Sequence, residues 1–122
     1  MIVSRLKFVL GPGVNVYDNV PVGAALPLVS ITGFNSENVG TKDGLFLRVT
    51  MTIDIVCLGA RKEPFREICG GVITALHGFN PDSPDIEASA IVYEATDEQV
   101  IDDENGPGQL GTLTFQFFVQ PA

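Results

Sequence analysis

The sequence has few residues of the types that build metal or redox sites. Its 122 residues include two cysteines, Cys57 and Cys69, and one histidine, His77. A zinc site needs four closely placed ligands, so these scattered residues do not predict one. Both cysteines stand among apolar residues, and we expect a reduced pair of small core residues. A disulfide stays open only if the fold brings their Cα atoms within about 7 Å.

Signals for a membrane, an export pathway or an enzyme are also missing. No apolar run approaches the roughly 18 residues that a membrane span needs. The opening MIVSRLKFVLG is interrupted by Arg5 and Lys7, and no cleavage pattern follows. GxGxxG, P-loop, GxSxG and HExxH motifs are absent. We therefore expect a soluble protein made in the cytoplasm, with no membrane contact, no cofactor and no catalytic site.

Basic residues are absent from the second half of the chain. Residues 1–66 hold all seven basic residues and five acidic ones, whereas residues 67–122 hold ten acidic residues and no basic one. Such a half repels nucleic acid phosphates, so the charge pattern argues against a DNA-binding protein. The length fits one domain spanning 1–122, and 45% apolar with 18% charged residues is typical of a globular chain.

Alternating apolar and polar residues predict two long strands, at 45–57 and 110–119. In the first, odd-numbered residues form an apolar face and even-numbered residues a threonine-rich polar face. Weaker patterns predict strands at 14–18, 28–32 and 86–96. Helical spacing of apolar residues predicts helices at 2–10 and 63–77. The sequence thus predicts an α+β fold with a mixed, mostly antiparallel sheet and both helices on one face.

The helix at 63–77 contains Gly70 and Gly71, each costing about 1 kcal/mol relative to alanine. We expect close packing of the helix backbone on the sheet to compensate. The opening helix should bury an apolar side; its members are Ile2, Val3, Leu6, Val9 and Leu10.

Residues 33–44 are polar and glycine-rich, and we interpret them as a long loop or arm that contacts another subunit or protein. A simple mobile surface loop is the alternative. Phe46 and Phe118 on the polar sheet face are either ordinary exposed residues or a subunit contact. The candidate contact residues are Asn35, Glu37, Asn38, Lys42, Asp43, Phe46 and Phe118.

The connection at 96–109 is interpreted as a solvated acidic loop. Its carboxylates do not match the ligand positions of a calcium loop. Packing them against a neighbour without basic partners is costly, so the loop should face solvent, a lumen or a basic patch on another protein. Its acidic residues are Asp97, Glu98, Asp102, Asp103 and Glu104.

Three strings, in this order, resemble the tail completion or tail terminator family of tailed phages and gene transfer particles. They are NVYDNVPVGAALPLVSI at 15–31, ARKEPFREICGGVITALHG at 60–78 and LGTLTFQFFV at 110–119. The resemblance covers nearly the whole chain, although the first helix is short and Leu28 stands where an aromatic residue is common. It implies a non-enzymatic protein of the virion tail, assembled in the host cytoplasm as a hexameric ring. Such a ring caps the tail tube, ends its polymerisation and joins a head-tail connector or neck protein, while DNA passes through without specific binding.

Two other functional classes stay open. One is a monomeric α+β module that binds a ligand or protein through the 33–44 and 96–109 loops; the other is a small cytoplasmic enzyme. Mass in solution separates a ring from a monomer. The residues alone indicate neither the tail type nor which rim of a ring meets which neighbour.

Overall fold

The computed structural model describes residues 2–11, 13–17, 27–40, 44, 46–59, 62–81, 86–103 and 106–121. Two helices and six strands follow each other along these residues. In chain order they are α1 (Ile2–Leu10), β1 (Asn15–Tyr17), β2 (Leu28–Asn38), β3 (Leu47–Leu58), α2 (Lys62–Leu76), β4 (Ile86–Ala88), β5 (Val92–Asp103) and β6 (Gly106–Pro121).

The strands form one mixed sheet in which only the pairing of β1 with β2 is parallel. The order is β1-β2-β3-β6, and β4 and β5 both pair with the far side of β6. Helix α2 packs on the sheet, and α1 packs against α2 and β1. The predicted α+β class and mostly antiparallel sheet are therefore confirmed. We call the sheet face covered by α2 the inner face and the opposite one the outer face.

The predicted two-faced character of β3 is also confirmed. Its odd-numbered residues from Val49 to Cys57 are buried, while the even-numbered residues between them are half-buried on the outer face. Strand β6 pairs with β3 over twelve residues and adds Leu113, Phe115 and Phe117 to the core. Helix α2 covers this core with the expected stripe, whose fully or nearly fully buried members are Phe65, Cys69, Val72 and Leu76.

Two glycines end the helices. Gly11 and Gly78 have φ angles of 77° and 86°, a left-handed conformation that glycine adopts without a Cβ clash. The predicted buried side of α1 is wrong at Val9, which is 38% exposed, whereas Leu6 is fully buried in the core cluster. The side chain of Val3, also predicted to be buried, lies outside the described residues.

The predicted strand at 86–96 is two strands, β4 and β5, separated by Ser89–Ile91. The interruption has a clear cause in the hydrogen bonds of Ile91. Its carbonyl accepts from the Gly78 N–H and its own N–H donates to the Phe79 carbonyl, both at 2.8 Å. Ile91 is fully buried. The chain leaves the ladder here because its backbone bonds to the exit of α2 instead.

The glycine pair of α2 is compensated differently from the expectation. A Cβ on Gly71 would lie 2.7 Å from Leu10 Cδ2. The missing side chain of Gly71 therefore allows close packing of α1 on α2, and not of α2 on the sheet. A Cβ on Gly70 would meet nothing within 4 Å. Gly70 is therefore a helix-interior glycine without a packing role, whereas Gly71 sets the distance between the helices.

Alanine substitutions should separate these two glycines. Gly70→Ala is expected to raise the free energy of unfolding by about 0.5–1 kcal/mol, because alanine loses less backbone entropy in a helix. Gly71→Ala gains the same term but must displace the tip of Leu10, so we expect no gain or a net loss. Urea denaturation of both variants measures the difference. Equal stabilisation by the two substitutions would contradict the close α1–α2 contact.

Candidate assembly surfaces

The segment 33–44 is not the loop that its composition suggests. Residues 33–38 continue β2 and pair with β3 after a register shift between Ile31 and Gly33. Of the described residues between β2 and β3, Val39, Gly40, Gly44 and Phe46 lie outside the strands. Polar residues form a strand here because β3 offers a complete row of backbone partners, and pairing outweighs the low β-propensity of glycine and asparagine.

Two of the candidate contact residues of this segment lie on the outer face of the sheet. Asn35 and Glu37 lie opposite Thr50 and Arg48 on the outer face, and Arg48 forms an exposed ion pair with Glu37. Exposed pairs of this kind contribute little stability, so both side chains remain available to a neighbouring protein.

Asn38 has a structural role in the turn. Its Oδ1 accepts from the Gly40 N–H at 3.0 Å and from the Phe46 N–H at 3.3 Å, which ties the two ends of the connection together. Lys42 and Asp43 lie outside the described residues.

Phe46 and Phe118 are brought together by the pairing of β3 with β6. Their rings stack with centroids 5.3 Å apart and an interplanar angle of 4°. Phe46 is 38% exposed. Phe118 also borders a shallow pocket of about 180 Å³ beside Ser89 and Val92. The stacked pair thus forms an apolar patch on the outer face, next to the β2–β3 connection.

The centre of the outer face is rich in hydroxyl groups. Thr50 and Thr52 on β3 lie opposite Gln116 and Thr114 on β6. The carboxylate of Asp54 lies among them, and its Oδ1 accepts from the Thr112 hydroxyl at 2.8 Å. This polar centre separates the Phe46–Phe118 pair from the other end of the sheet.

The expected acidic loop at 96–109 is a β-hairpin made by β5 and β6. Its pairing runs from Val92 opposite Gln116 to Asp103 opposite Gly106, with a register shift between Tyr93 and Ala95. The local charge predicts a loop. The apolar residues Val100 and Ile101 favour an extended strand, and β6 offers backbone partners along its whole length. The correction matters because residues of a strand alternate between faces.

The five carboxylates are therefore not one cluster. Asp97 pairs with Thr112 on the outer face, whereas Glu98 pairs with Gly111 on the inner face. Glu98 Oε2 lies 3.6 Å from a guanidinium nitrogen of Arg66 on α2. The remaining residues belong to the hairpin end: Asp102 and Asp103 are the last residues of β5, and Glu104 lies outside the described residues.

The two hairpins end at opposite ends of the sheet. The β2–β3 connection follows the end where Leu47 pairs with Val119, and the β5–β6 turn follows the end where Leu58 pairs with Gly108. The stacked aromatic pair thus lies at one end of the sheet, and the carboxylates of the β5–β6 hairpin lie at the other, together with Arg66 of α2. Reading each segment separately does not reveal this, because the polarity depends on the register of β3 against β6.

Exposed apolar side chains on α1 and β5 were missed by sequence reasoning. Phe8 is 83% and Val100 66% exposed. A groove of about 620 Å³ lies beside Phe8 between α1 and β1, lined also by Lys7 and Val16. The signal in the sequence was that Phe8 falls outside the apolar stripe of α1.

The structure carries little that suggests a reactive centre. Cys57 and Cys69 are buried free thiols, and burial raises the pKa of Cys69 to about 11. This keeps the Cys69 thiol protonated and unreactive at neutral pH. Among the described residues, no group of three or more histidine, cysteine, aspartate or glutamate residues could hold a metal ion. No helix in that part of the chain is long and apolar enough to cross a membrane.

Comparison with known proteins gives two findings. A chain of a solved structure, "Virion of native gene transfer agent (GTA) particle", superposes with a TM-score of 0.78 at 17% sequence identity. The alignment covers 98% of this chain and 91% of that chain, so the two share a fold over nearly their full lengths. A search of curated proteins found no match. Residues 3–120 match the family described as Tail completion protein gp17, and the chain therefore belongs to this family of tail structural proteins.

Proposed function

We propose that the protein is a tail terminator: a ring, hexameric in the simplest case, that caps the tail tube, ends its polymerisation and offers a joining surface for the head. The observation that carries the proposal is the difference between the two ends of the sheet, with the stacked aromatic pair at one end and the carboxylates of the β5–β6 hairpin at the other. A terminator needs two unlike ends, because one must match the growing tube while the other must not repeat it. Family membership supports the same role.

The β2–β3 end is proposed to meet the tube protein. Around it lie the stacked Phe46–Phe118 pair and the exposed side chains of Phe34 and Val39, which are 56% and 43% exposed. Aromatic and aliphatic groups of this kind form the centres of protein interfaces. Asn35, Glu37 and Arg48 supply polar groups at the margin of the same region.

The acidic β5–β6 end is proposed to face the neck or head connector, or the lumen. Residues 67–122 contain ten acidic residues and no basic one. Negative charge keeps passing DNA from adhering, and it attracts a basic patch on a joining protein. All described buried hydrophobic residues except Leu28 belong to one cluster, which supports a single domain over 1–122 that acts as a unit within the ring. On this proposal the protein is catalytically inactive and resides in the virion tail after assembly in the host cytoplasm.

Removal of the gene from particle-producing cells tests the proposal. We expect tails of uncontrolled length without attached heads, measured by electron microscopy, and rescue by the wild-type chain. Particles with normal tail lengths and attached heads in the absence of the protein would refute a terminator role.

Neutralising the acidic end should separate the two tasks of the terminator. A chain carrying Asp102→Asn, Asp103→Asn and Glu104→Gln is expected to restore tail length but not head joining. The joining defect of a variant with only Asp103→Asn, measured against the wild type, should shrink as salt rises, because screening weakens the attraction in both. The matched change at the other end, Glu37→Gln, should leave joining intact. Normal joining by the triple variant at physiological salt would remove the acidic end from the proposal.

A further inference from the structure

The two lateral edges of the sheet are joined by one continuous row of paired residues. This row crosses the sheet on the inner face throughout: Val16, Val29, Ile55, Gly111 and Glu98. The first of these residues belongs to β1, which packs against α1. The last belongs to β5, whose other side pairs with no strand among the described residues. The α1–β1 edge and the β5 edge are therefore opposite ends of one row.

The α1–β1 edge is apolar and basic. Helix α1 contains Arg5 and Lys7 and no acidic residue. Arg5 is engaged within the chain, since its Nε donates to the Ala75 carbonyl at 3.0 Å. Lys7 is exposed and borders the groove beside Phe8, and Val9 is 38% exposed. This edge presents a large aromatic side chain, a groove and a positive charge to its surroundings.

The β5 edge has the complementary chemistry. Its twelve residues include five acidic residues and no basic one, and the exposed Val100 lies two positions after Glu98 on the same inner side. Like charges disfavour the pairing of two β5 edges with each other, as they do in other protected edge strands. Two α1–β1 edges repel each other for the same reason. The α1–β1 edge is therefore complementary in charge to a β5 edge and not to a second α1–β1 edge.

We propose that the α1–β1 edge of one copy docks on the β5 edge of the next copy. Phe8 packs against the region of Val100, and Lys7 lies near the carboxylate of Glu98, which is on the same inner side and also contacts Arg66 of its own chain. Such a contact is head-to-tail, and its repetition closes a ring when the rotation between neighbouring copies is a whole fraction of a full turn. An apolar centre with charged surroundings is the usual composition of a protein interface. The inference rests on the ring of the proposed function and names the surfaces that build it.

Two variants, each defective at one edge, test the contact. Phe8→Asp places a charge in the apolar part of the α1–β1 edge, and Val100→Asp does the same in the β5 edge. Each variant leaves the other edge unchanged. Alone, each variant should fall from the wild-type oligomer to a monomer of 13.0 kDa, measured by light scattering after size-exclusion chromatography. Mixed in equal amounts, the two should form a dimer of twice that mass, because one good contact remains and cannot be repeated.

Controls separate loss of contact from loss of fold. Leu58→Asp changes an exposed aliphatic side chain at the last residue of β3 and should keep the wild-type mass. Far-UV circular dichroism and melting temperature should match the wild type for all variants. If Phe8→Asp destabilises the short helix, Lys7→Glu replaces it and is expected to weaken assembly in a salt-dependent way.

Each other outcome overturns the inference. Loss of assembly in Phe8→Asp with normal assembly in Val100→Asp indicates a contact between two α1–β1 edges. Normal mass in both variants places the ring contact elsewhere and leaves the terminator proposal intact, since tail length tests that separately. Monomers alone and in the mixture exclude the head-to-tail pairing. A wild-type chain that stays monomeric at all concentrations overturns this contact together with the ring.

Discussion

Replacing Phe115 with alanine is expected to lower the free energy of unfolding by about 3–5 kcal/mol. Phe115 is fully buried in β6, the strand that pairs with β3, β4 and β5. It lies opposite Met51 on β3 and makes an edge-to-face contact with Tyr93, with ring centroids 5.8 Å apart. Truncation leaves a cavity between three strands, which their backbone hydrogen bonds prevent from collapsing.

The neighbouring residue provides the matched control for this substitution. Thr114 precedes Phe115 on the same strand but is half-buried on the outer face. Thr114→Ala should cost no more than about 1 kcal/mol, the usual range of strand preferences. Chemical denaturation at a concentration where the chain is monomeric measures both. Equal losses at the two positions would contradict the separation of the sheet into a buried and an outer face.

Replacing Gly111 with alanine is expected to cost about 1–3 kcal/mol through overpacking. A Cβ at this position would lie 2.5 Å from Cζ of Phe65, and the Phe65 side chain is only 1% exposed. The missing side chain of Gly111 on β6 therefore leaves the space that the Phe65 ring, in the first turn of α2, occupies. Because the ring is enclosed, it cannot swing away as a surface side chain would.

A double-mutant cycle tests this contact between helix and sheet. Phe65→Leu shortens the side chain at the clash, so the combined variant with Gly111→Ala should lose less stability than the sum of the single losses. Gly33→Ala is the control, since its nearest neighbour would be Thr52 Cβ at 4.0 Å. Additive losses in the cycle, or a harmless Gly111→Ala, would show that α2 is not seated on this glycine.

The strands that could be predicted from the sequence are those whose own residues alternate. In β3 and β6 the buried residues are alternate apolar residues, so period and burial largely coincide, as Ile53 and Leu113 show. Phe118 is an apolar exception on the outer face. Helix α2 could be predicted for the same reason at a different period. The ends of β2 and β5 could not, because residues such as Asn35 and Asp97 have weak strand preferences. Their extended conformation is imposed by the neighbouring strand, which local composition does not encode.

The same limit applies to the candidate surfaces. Phe46 and Phe118 were identified singly from their place on the polar face, but their stacking depends on the β3–β6 register. The carboxylates of 96–109 were grouped by sequence proximity, whereas pairing with β6 directs Asp97 and Glu98 to opposite faces. Phe8 could not be assigned to a surface from the sequence. The exposure of a single aromatic residue outside the apolar stripe depends on which elements pack against the helix.

Polymerisation of purified tube protein in the presence of this protein tests its central role most directly. We expect tubes to stop elongating once the chain is added, with one ring-shaped density at a single end of each tube in electron micrographs. The ring should leave the tube walls uncoated, because only the growing end presents the matching surface. Tubes that elongate at the same rate with the protein present, or that carry it along their walls, would contradict the terminator function.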